Sequence, residues 1–358
     1  MNEKPVLVTG GCGFVGRHLT KSLLERGVRE IWIVDNLAIE SGRPPQEWLS
    51  QEWRREMHGD AEYFMSGGRS IVFLKADAIA LFRAESSGES RILPDFGDVF
   101  HLASIVGGRA LIDGDPLLVA TDLGIDAAFF LWISRFPNKV ERVMYASSSA
   151  AYPTCLQGQR GAVALKEDMI DFSGGMLGTP DMTYGWSKLT GEYLSRLAHE
   201  KYGIHVSCVR PFSGFGEDQD LTYPTPSIAL RVARGDDPVE VWGTGEQARD
   251  FVYIDDCVEA FFAIMDNVND GGGVNIGTGI ATSFNDLIKQ MLAIEGRNAE
   301  IRPLSDKPVG VSTRYADTTL LHKHVGWKPS ITLEEGLKKV LEGGKQRLKG
   351  TVLPFQIP

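Results

Sequence analysis

The chain has 358 residues, enough for a well-buried core in one large or two modest domains, with 43% hydrophobic and 23% charged residues as in an ordinary globular protein. A formal net charge of −10 with no long basic run argues against nucleic acid or an anionic membrane as partner, so an anionic substrate needs local positive charge set against the overall field. Cysteines 12, 155, 208 and 257 show no metal-type spacing and no C-x-x-C. They fit reduced cytoplasmic thiols and no metal, the first strand leaves no room for a signal peptide, and no apolar run approaches a membrane span.

The chain opens on Val6-Leu7-Val8, a short apolar run that predicts a buried parallel strand. Glycines follow at 10, 11, 13 and 16, and then Val15 to Gly27 is apolar at 15, 19, 23 and 24, as an amphipathic helix is. Strand, glycine turn and helix make an anion site. The glycines, chiefly Gly10, Gly13 and Gly16, let the backbone approach a pyrophosphate, and the helix start at Phe14 and Val15 offers free N–H groups and a positive dipole end. A second strand, Glu30 to Val34, ends at Asp35-Asn36. A carboxylate at Asp35 accepts from a ribose diol and repels a 2′-phosphate, which predicts NAD rather than NADP.

Leu37 to Arg69 is long for a connection and carries Pro44-Pro45 and many charges. A helix is expected near Gln46–Arg55, and either a lid or an oligomer contact fits the segment. Strands are expected at Ser70–Lys75, Asp98–Ala103, Arg142–Ala146 and Ile204–Arg210, with helices at Asp122–Phe136 and Thr183–Tyr202. This alternation predicts an α/β fold, a doubly wound parallel sheet of Rossmann type over residues 1–210. After Arg210 the pattern becomes irregular. Val239–Trp242, Asp250–Tyr253 and Val274–Ile276 read as strands, and helices start at Asp255, Ser283 and Leu333. Residues 211–350 are therefore expected to form a smaller substrate-binding lobe across the carboxyl ends of the sheet. The tail Thr351–Pro358 is expected to be loosely held.

Tyr184 and Lys188 lie four apart, on one face of a helix. An ammonium one turn away lowers a phenol's pKa and makes it a usable base. Ser147-Ser148-Ser149-Ala150 follows a strand, where a serine can offer its hydroxyl to a substrate alcohol.

Four stretches, Thr9 to Gly16, His101-Leu102-Ala103-Ser104, Ser147 to Tyr152 and Tyr184 to Lys188, resemble the extended short-chain dehydrogenase/reductase family of nucleotide-sugar epimerases and dehydratases. Later stretches match too, Arg249 to Asp256, Asn275 to Gly279 and Arg314 to Asp317. The resemblance implies Tyr184 as catalytic base, Lys188 as its electrostatic partner and nicotinamide-ribose ligand, and Ser148 as the hydroxyl that polarises the sugar oxygen. It implies Asp77, Leu102 and Ala103 near the cofactor. It implies Ser149, Ser213, Trp242, Arg249, Arg314 and Asp317 near a nucleoside-diphosphate sugar, the arginines on phosphate. Relatives are homodimers through a four-helix bundle, so apolar Phe129, Phe130, Ile133, Leu189, Tyr193 and Leu197 are expected at such a contact.

Departures from the family narrow the chemistry. Dehydratases carry carboxylates after the active-site serine, where this chain has Ser149 and Ala150. GDP-sugar 3,5-epimerases carry a cysteine at Ala150 and a lysine or histidine near Leu221–Tyr223. What remains resembles the 4-epimerases, and epimerisation at C4 is expected. Cys155 is the nearby thiol in sequence, Asp122 stands where asparagine is usual, and Val241 to Gly245 leans toward GDP-sugars. A dehydratase, a 3,5-epimerase, an oxidoreductase that releases NADH and a non-catalytic NAD-binding regulator stay open as alternatives.

Overall fold

The computed structural model describes residues 4–38, 42–158, 162–174, 177–350 and 355–358. The first half runs β1 (Val6–Thr9), α1 (Phe14–Glu25), β2 (Glu30–Asp35), β3 (Arg54–His58), β4 (Ala61–Ser66), β5 (Arg69–Lys75), α2 (Ala78–Ser87), β6 (Phe96–His101), α3 (Arg109–Gly114), α4 (Pro116–Val119), α5 (Thr121–Arg135), β7 (Val140–Ala146), α6 (Met182–Tyr202) and β8 (His205–Pro211). It continues with β9 (Ser213–Phe215), α7 (Pro224–Arg234), β10 (Val239–Trp242), β11 (Ala248–Arg249), β12 (Phe251–Tyr253), α8 (Ile254–Asn267), β13 (Asp270–Ile276), β14 (Thr282–Ser283), α9 (Phe284–Ile294), β15 (Ile301–Leu304), β16 (Thr313–Arg314) and α10 (Leu333–Leu348).

The main sheet has the order β13-β8-β7-β6-β1-β2-β5-β4-β3. Every pairing from β13 to β5 is parallel, as the α/β alternation predicts. Alternation along each strand sorts side chains to the two faces. Val6, Val8, Ile31 and Ile33 enter one core with Leu19, Leu23 and Leu24 of α1. Leu7, Trp32 and Val34 enter the other with Phe82 of α2 and Phe129 and Trp132 of α5. The chain beyond residue 210 returns to this sheet, because β13 pairs with β8 and α8 packs beside α1.

Several expectations are corrected. No helix forms at Gln46–Arg55: Pro45–Glu47 is a single 3-10 turn, and Arg54–His58 is the edge strand β3 of an antiparallel hairpin that extends the sheet through β4 and β5. Charges on both faces of β3 hide its period and protect the edge from further pairing. The long segment is thus mainly sheet. The tail is not loose where it is described, while Thr351 to Pro354 lie outside the described residues. Ile357 is buried and its backbone bonds both Trp48 and Ser50, Phe355 packs on His18 at 4.7 Å, and Trp53 Nε1 donates to the Pro358 carbonyl at 3.2 Å. Pro116–Arg135 is, by length and composition, apolar enough to cross a membrane, contrary to the sequence reading. Its two carboxylates, Asp122 and Asp126, turn into the protein and find partners there, so one face of the stretch packs into the protein while the other, with Leu117, Leu118, Leu123 and Leu131, is exposed. Of the residues expected at a dimer contact, Phe129, Phe130, Ile133 and Leu189 are buried within the chain, Leu197 is half-buried and Tyr193 is exposed.

Candidate active site

A cavity of about 630 Å³ opens at the carboxyl ends of the sheet strands. The glycine turn forms one wall. Gly10 has φ +70°, and a Cβ there would meet Ala103 N at 2.8 Å, while one at Gly16 would meet Gly10 O at 2.5 Å. Only bare backbone permits both approaches. Helix α1 starts after Gly13, which offers no side-chain cap, so its first N–H groups are left without a capping side chain among the described residues. Asp35 ends β2 beside that turn, accepting from Cys12 N at 3.0 Å and Leu37 N at 2.9 Å. These features fit a dinucleotide: a cradle for pyrophosphate and a carboxylate for a ribose diol.

Asn36 makes a local turn by accepting from Ala38 N, and Asp77 caps α2 by accepting from Ala80 N. Leu102 lines the cavity, and Ala103 N donates to Thr9 Oγ1 at 3.2 Å behind it.

Helix α6 lies close on β7 because Gly191 leaves room: a Cβ there would meet the Tyr145 hydroxyl at 1.8 Å. That seat brings Tyr184, Lys188, Ser148, Ser149 and Ala150 to the cavity wall together. Ser148 sits by the Tyr184 phenol, which it draws down, and caps the turn Ser149–Ala151 through Ala150 N at 3.1 Å. The Lys188 ammonium lies 5.7 Å from the centre of the Tyr184 ring and 5.6 Å from that of Tyr145. Burial draws Lys188 down, yet Tyr184, Asp126 and Asp122 hold it above its ordinary value, so it is charged. Tyr184 departs from the sequence expectation of a lowered phenol. Burial raises it, Lys188 and Ser148 draw it down, Asp122 adds to the rise, and the balance is upward. The cationic ring of an oxidised nicotinamide is not part of this balance and would act downward.

Asp122, in place of the usual asparagine, accepts from Ser104 Oγ and Ile105 N, both at 2.6 Å. Burial pushes its carboxyl up to about 6 against the pull of Lys188. Asp126 accepts from Tyr145 at 2.7 Å and faces His101, which burial keeps neutral.

The far end of the cavity is cationic. Arg109 and Arg314 each bond one oxygen of Asp181 at 2.8 Å. Arg249 bonds the carbonyls of Ala248 and Ser312, with no carboxylate in contact among the described residues. Its burial, with Arg314 alongside, brings it down to about 9. Arg231, Ser213 and Trp242 complete this end. This is the local positive charge that the acidic chain needs for an anionic substrate. Asp317 does not line the cavity; its carboxylate accepts from Thr319 N at 2.9 Å. Cys155 is exposed and off the wall, which removes it as a stand-in for the thiol absent at Ala150.

Sequence reasoning passed over Arg109, Asp181, Arg231, Gln219 and Gln247, all on the wall. Gly107-Gly108 before Arg109 was an available signal, because a Cβ at Gly108 would meet Thr222 O at 1.9 Å, where two wall loops touch. Tyr223, set aside for lacking a strong acid or base, also faces the cavity near Tyr184.

Residues 6–277 match the model of the NAD dependent epimerase/dehydratase family. The chain is 26% identical over 337 residues to GDP-mannose 3,5-epimerase of Arabidopsis thaliana, covering 93% of this chain and 80% of the relative. It is 27% identical over 350 residues to UDP-glucuronate 4-epimerase of Thermodesulfobacterium geofontis, covering 96% and 97%. Among solved structures it superposes on UDP-glucose 4-epimerase of Thermotoga maritima, determined with UDP-glucose. The TM-score is 0.77 at 25% identity, covering 96% of this chain and 99% of that one.

Proposed function

This chain belongs to the NAD dependent epimerase/dehydratase family, and from that premise we propose that it epimerises a nucleoside-diphosphate sugar at C4. One observation carries the position: Ser148, Tyr184 and Lys188 meet on the cavity wall, while Ser149 and Ala150 beside them supply neither carboxylate nor thiol. When bound, NAD supplies reversible acceptance of a hydride, held by the glycine turn at Gly10–Gly16, by Asp35 and by Lys188. Tyr184 takes the proton of the C4 hydroxyl and later returns it. Ser148, beside the same phenol, steadies that oxygen, and Lys188 keeps the phenolate accessible by its charge. Arg249 and Arg314 hold the diphosphate, so the sugar can turn over on a fixed anchor.

The chain acts as a homodimer in this reading. Leu117 and Leu118 of α4, Leu123 and Leu131 of α5, and Trp186 and Tyr193 of α6 are all exposed, and such apolar area favours a second copy. A monomeric mass by light scattering at micromolar concentration overturns the dimer. Four free cysteines favour a reducing compartment, the cytoplasm, which cell fractionation checks.

The deciding run uses Tyr184→Phe and deuterium oxide. Turnover falls by roughly 10²–10⁴-fold in the variant, with NAD affinity little changed. Substrate deuterated at C4 keeps its label in the product, because the hydride leaves and returns without meeting solvent. Solvent deuterium at C3 or C5, or a 4-keto-6-deoxy product, overturns epimerisation at C4.

A further inference from the structure

Helix α6, which carries Tyr184, begins on a residue whose side chain is engaged elsewhere. Asp181 stands at its N-cap, where a carboxylate ordinarily accepts from the amide two or three residues on. Here the carboxylate makes no such bond and lies between Arg109 and Arg314, at 2.8 Å from each. The amides of Thr183 and Tyr184 are left without an acceptor among the described residues. The backbone is strained at the same point. Met182, the first residue of the helix, has φ +55°, a left-handed conformation costly for a residue with a long side chain. That side chain is exposed, so its own packing does not impose the conformation. The flanking backbone is pinned: Asp181 N donates to the Ala150 carbonyl at 3.0 Å, and a Cβ at Gly185 would meet the same carbonyl at 2.4 Å. What acts on the chain between these pins is the pull of two arginines on Asp181.

Arg314 faces both the anion and the base. It lines the cavity with Arg249; burial raises the Tyr184 phenol, and the charge of Arg314 is among those that draw it down. A diphosphate at Arg314, taken from the nucleotide-sugar reading above on which this step rests, carries more charge than one carboxylate and competes with Asp181 for the guanidinium. Arg109 keeps Asp113 as a partner when Asp181 leaves. The displaced carboxylate has a donor at hand, since Tyr184 is three residues from the N-cap and its amide is one that such a cap takes. Asp181 also adjoins a second cavity of about 650 Å³, lined by Met182 and Trp186, which gives its side chain room to turn. We infer that Asp181 is a positioning residue with two seats: it lies on Arg109 and Arg314 until an anion takes Arg314, and then caps α6 at Tyr184, so that phosphate binding relaxes the helix start that carries the base.

Inorganic pyrophosphate is the probe, added to the intact protein saturated with NAD so that the glycine turn is already filled. Calorimetry reads its affinity, and hydrogen–deuterium exchange reads the amides of residues 182–184. In the parent, pyrophosphate slows exchange there about fivefold, the worth of one N-cap. Asp181→Asn, which can cap but competes weakly for arginine, binds pyrophosphate roughly tenfold tighter and exchanges slowly from the start. Asp181→Ala also binds tighter, yet its exchange stays fast with and without the anion. A residue that merely braces the arginines gives the opposite: both variants bind more weakly, and exchange in the parent ignores pyrophosphate. Either result overturns the inference, and the second is read on the unaltered protein, so a variant that folds poorly does not shield it. Pyrophosphate that fails to bind the parent, or binds equally to Arg249→Met, overturns instead the placing of phosphate at this end of the cavity, and this inference with it.

Discussion

Helix α6 meets two groups of arginines and carboxylates, one at its middle and one at its start, and they are built to opposite ends. At the middle, Glu192 takes Arg210 through both oxygens at 2.7 and 2.8 Å. Arg210 goes on to Tyr152 at 2.8 Å, and Tyr152 to Asn275 at 2.7 Å. Burial opposes the charge of Arg210, yet Glu192 and Tyr152 hold it well above its ordinary value. At the start, Asp181 is shared between Arg109 and Arg314, and Arg109 also reaches Asp113, while Arg249 bonds carbonyls and lies over the Phe284 ring, with no carboxylate in contact among the described residues. The first group is closed, with every charge answered inside the protein. The second is open, with more cations than carboxylates in a place where cations are costly. A closed group of this kind secures the join of α6, β7 and β8. An open one fits a fold that stores positive charge for an arriving anion.

Breaking the closed group has the largest effect. Glu192→Leu strands Arg210 without its partner, and folding stability falls by about 3–5 kcal/mol. Chemical denaturation checks it, and a loss below about 1 kcal/mol would erase the distinction between the two groups.

Asp122 is next in size, a buried carboxylate that belongs to neither group. Its carboxyl stands at about 6 in the folded protein against an ordinary 3.8, so folding favours the protonated form. The resulting penalty is absent below about pH 4, grows as pH rises toward 6 and is complete above it, reaching up to about 3 kcal/mol. Asp122→Asn removes the penalty, so the variant gains over the parent at pH 8 and gains nothing at pH 4, as unfolding at the two pH values shows. Because Asp122 also raises Tyr184, the same change moves the acid limb of the turnover profile to lower pH.

Opening the open group further costs binding rather than folding. Arg249→Met weakens nucleotide-sugar affinity roughly tenfold to a hundredfold, the size of charged hydrogen bonds lost, while folding stability holds or rises. A variant that unfolds as readily as Glu192→Leu would show that Arg249 is structural after all.

The smallest change is at Asp35, whose carboxylate is answered by backbone amides rather than by arginine. Asp35→Ala lowers the preference for NAD over NADP by about tenfold, one charge-assisted bond, read by calorimetry.

What could be read from the sequence follows the same division. The turn Gly10–Gly16 is local and made of backbone, so glycine spacing between an apolar strand and an amphipathic helix is enough to find it. Tyr184 and Lys188 share one helix face and are equally plain. The open group has no such signature. Arg109, Asp181, Arg249 and Arg314 come from separate elements, and neither their meeting nor the imbalance of charge exists before the chain folds. Arg249 and Arg314 were placed through family resemblance, and Arg109 was not placed at all. Asp35 was legible as a candidate ligand but not as an acceptor already held by Cys12 and Leu37. The edge hairpin was missed for a different reason: Arg54, Arg55, Glu56 and His58 are polar on both faces, so the period of two that marks a half-buried strand is absent there.

The docked residues Phe355–Pro358 give the dinucleotide helix an optical reporter. Phe355 lies on His18, which belongs to α1, while Trp48 and Trp53 close over the same short stretch, the latter through its indole N–H. Indole emission is sensitive to wetting. Release of these four residues therefore exposes two tryptophans beside the first turns of α1, the helix that follows the glycine turn. Fluorescence of the parent, less that of a chain shortened by the four residues, isolates this pair from the other five indoles. Followed during titration with NAD, that difference spectrum tells whether filling the glycine turn is felt at the docked tail beside α1.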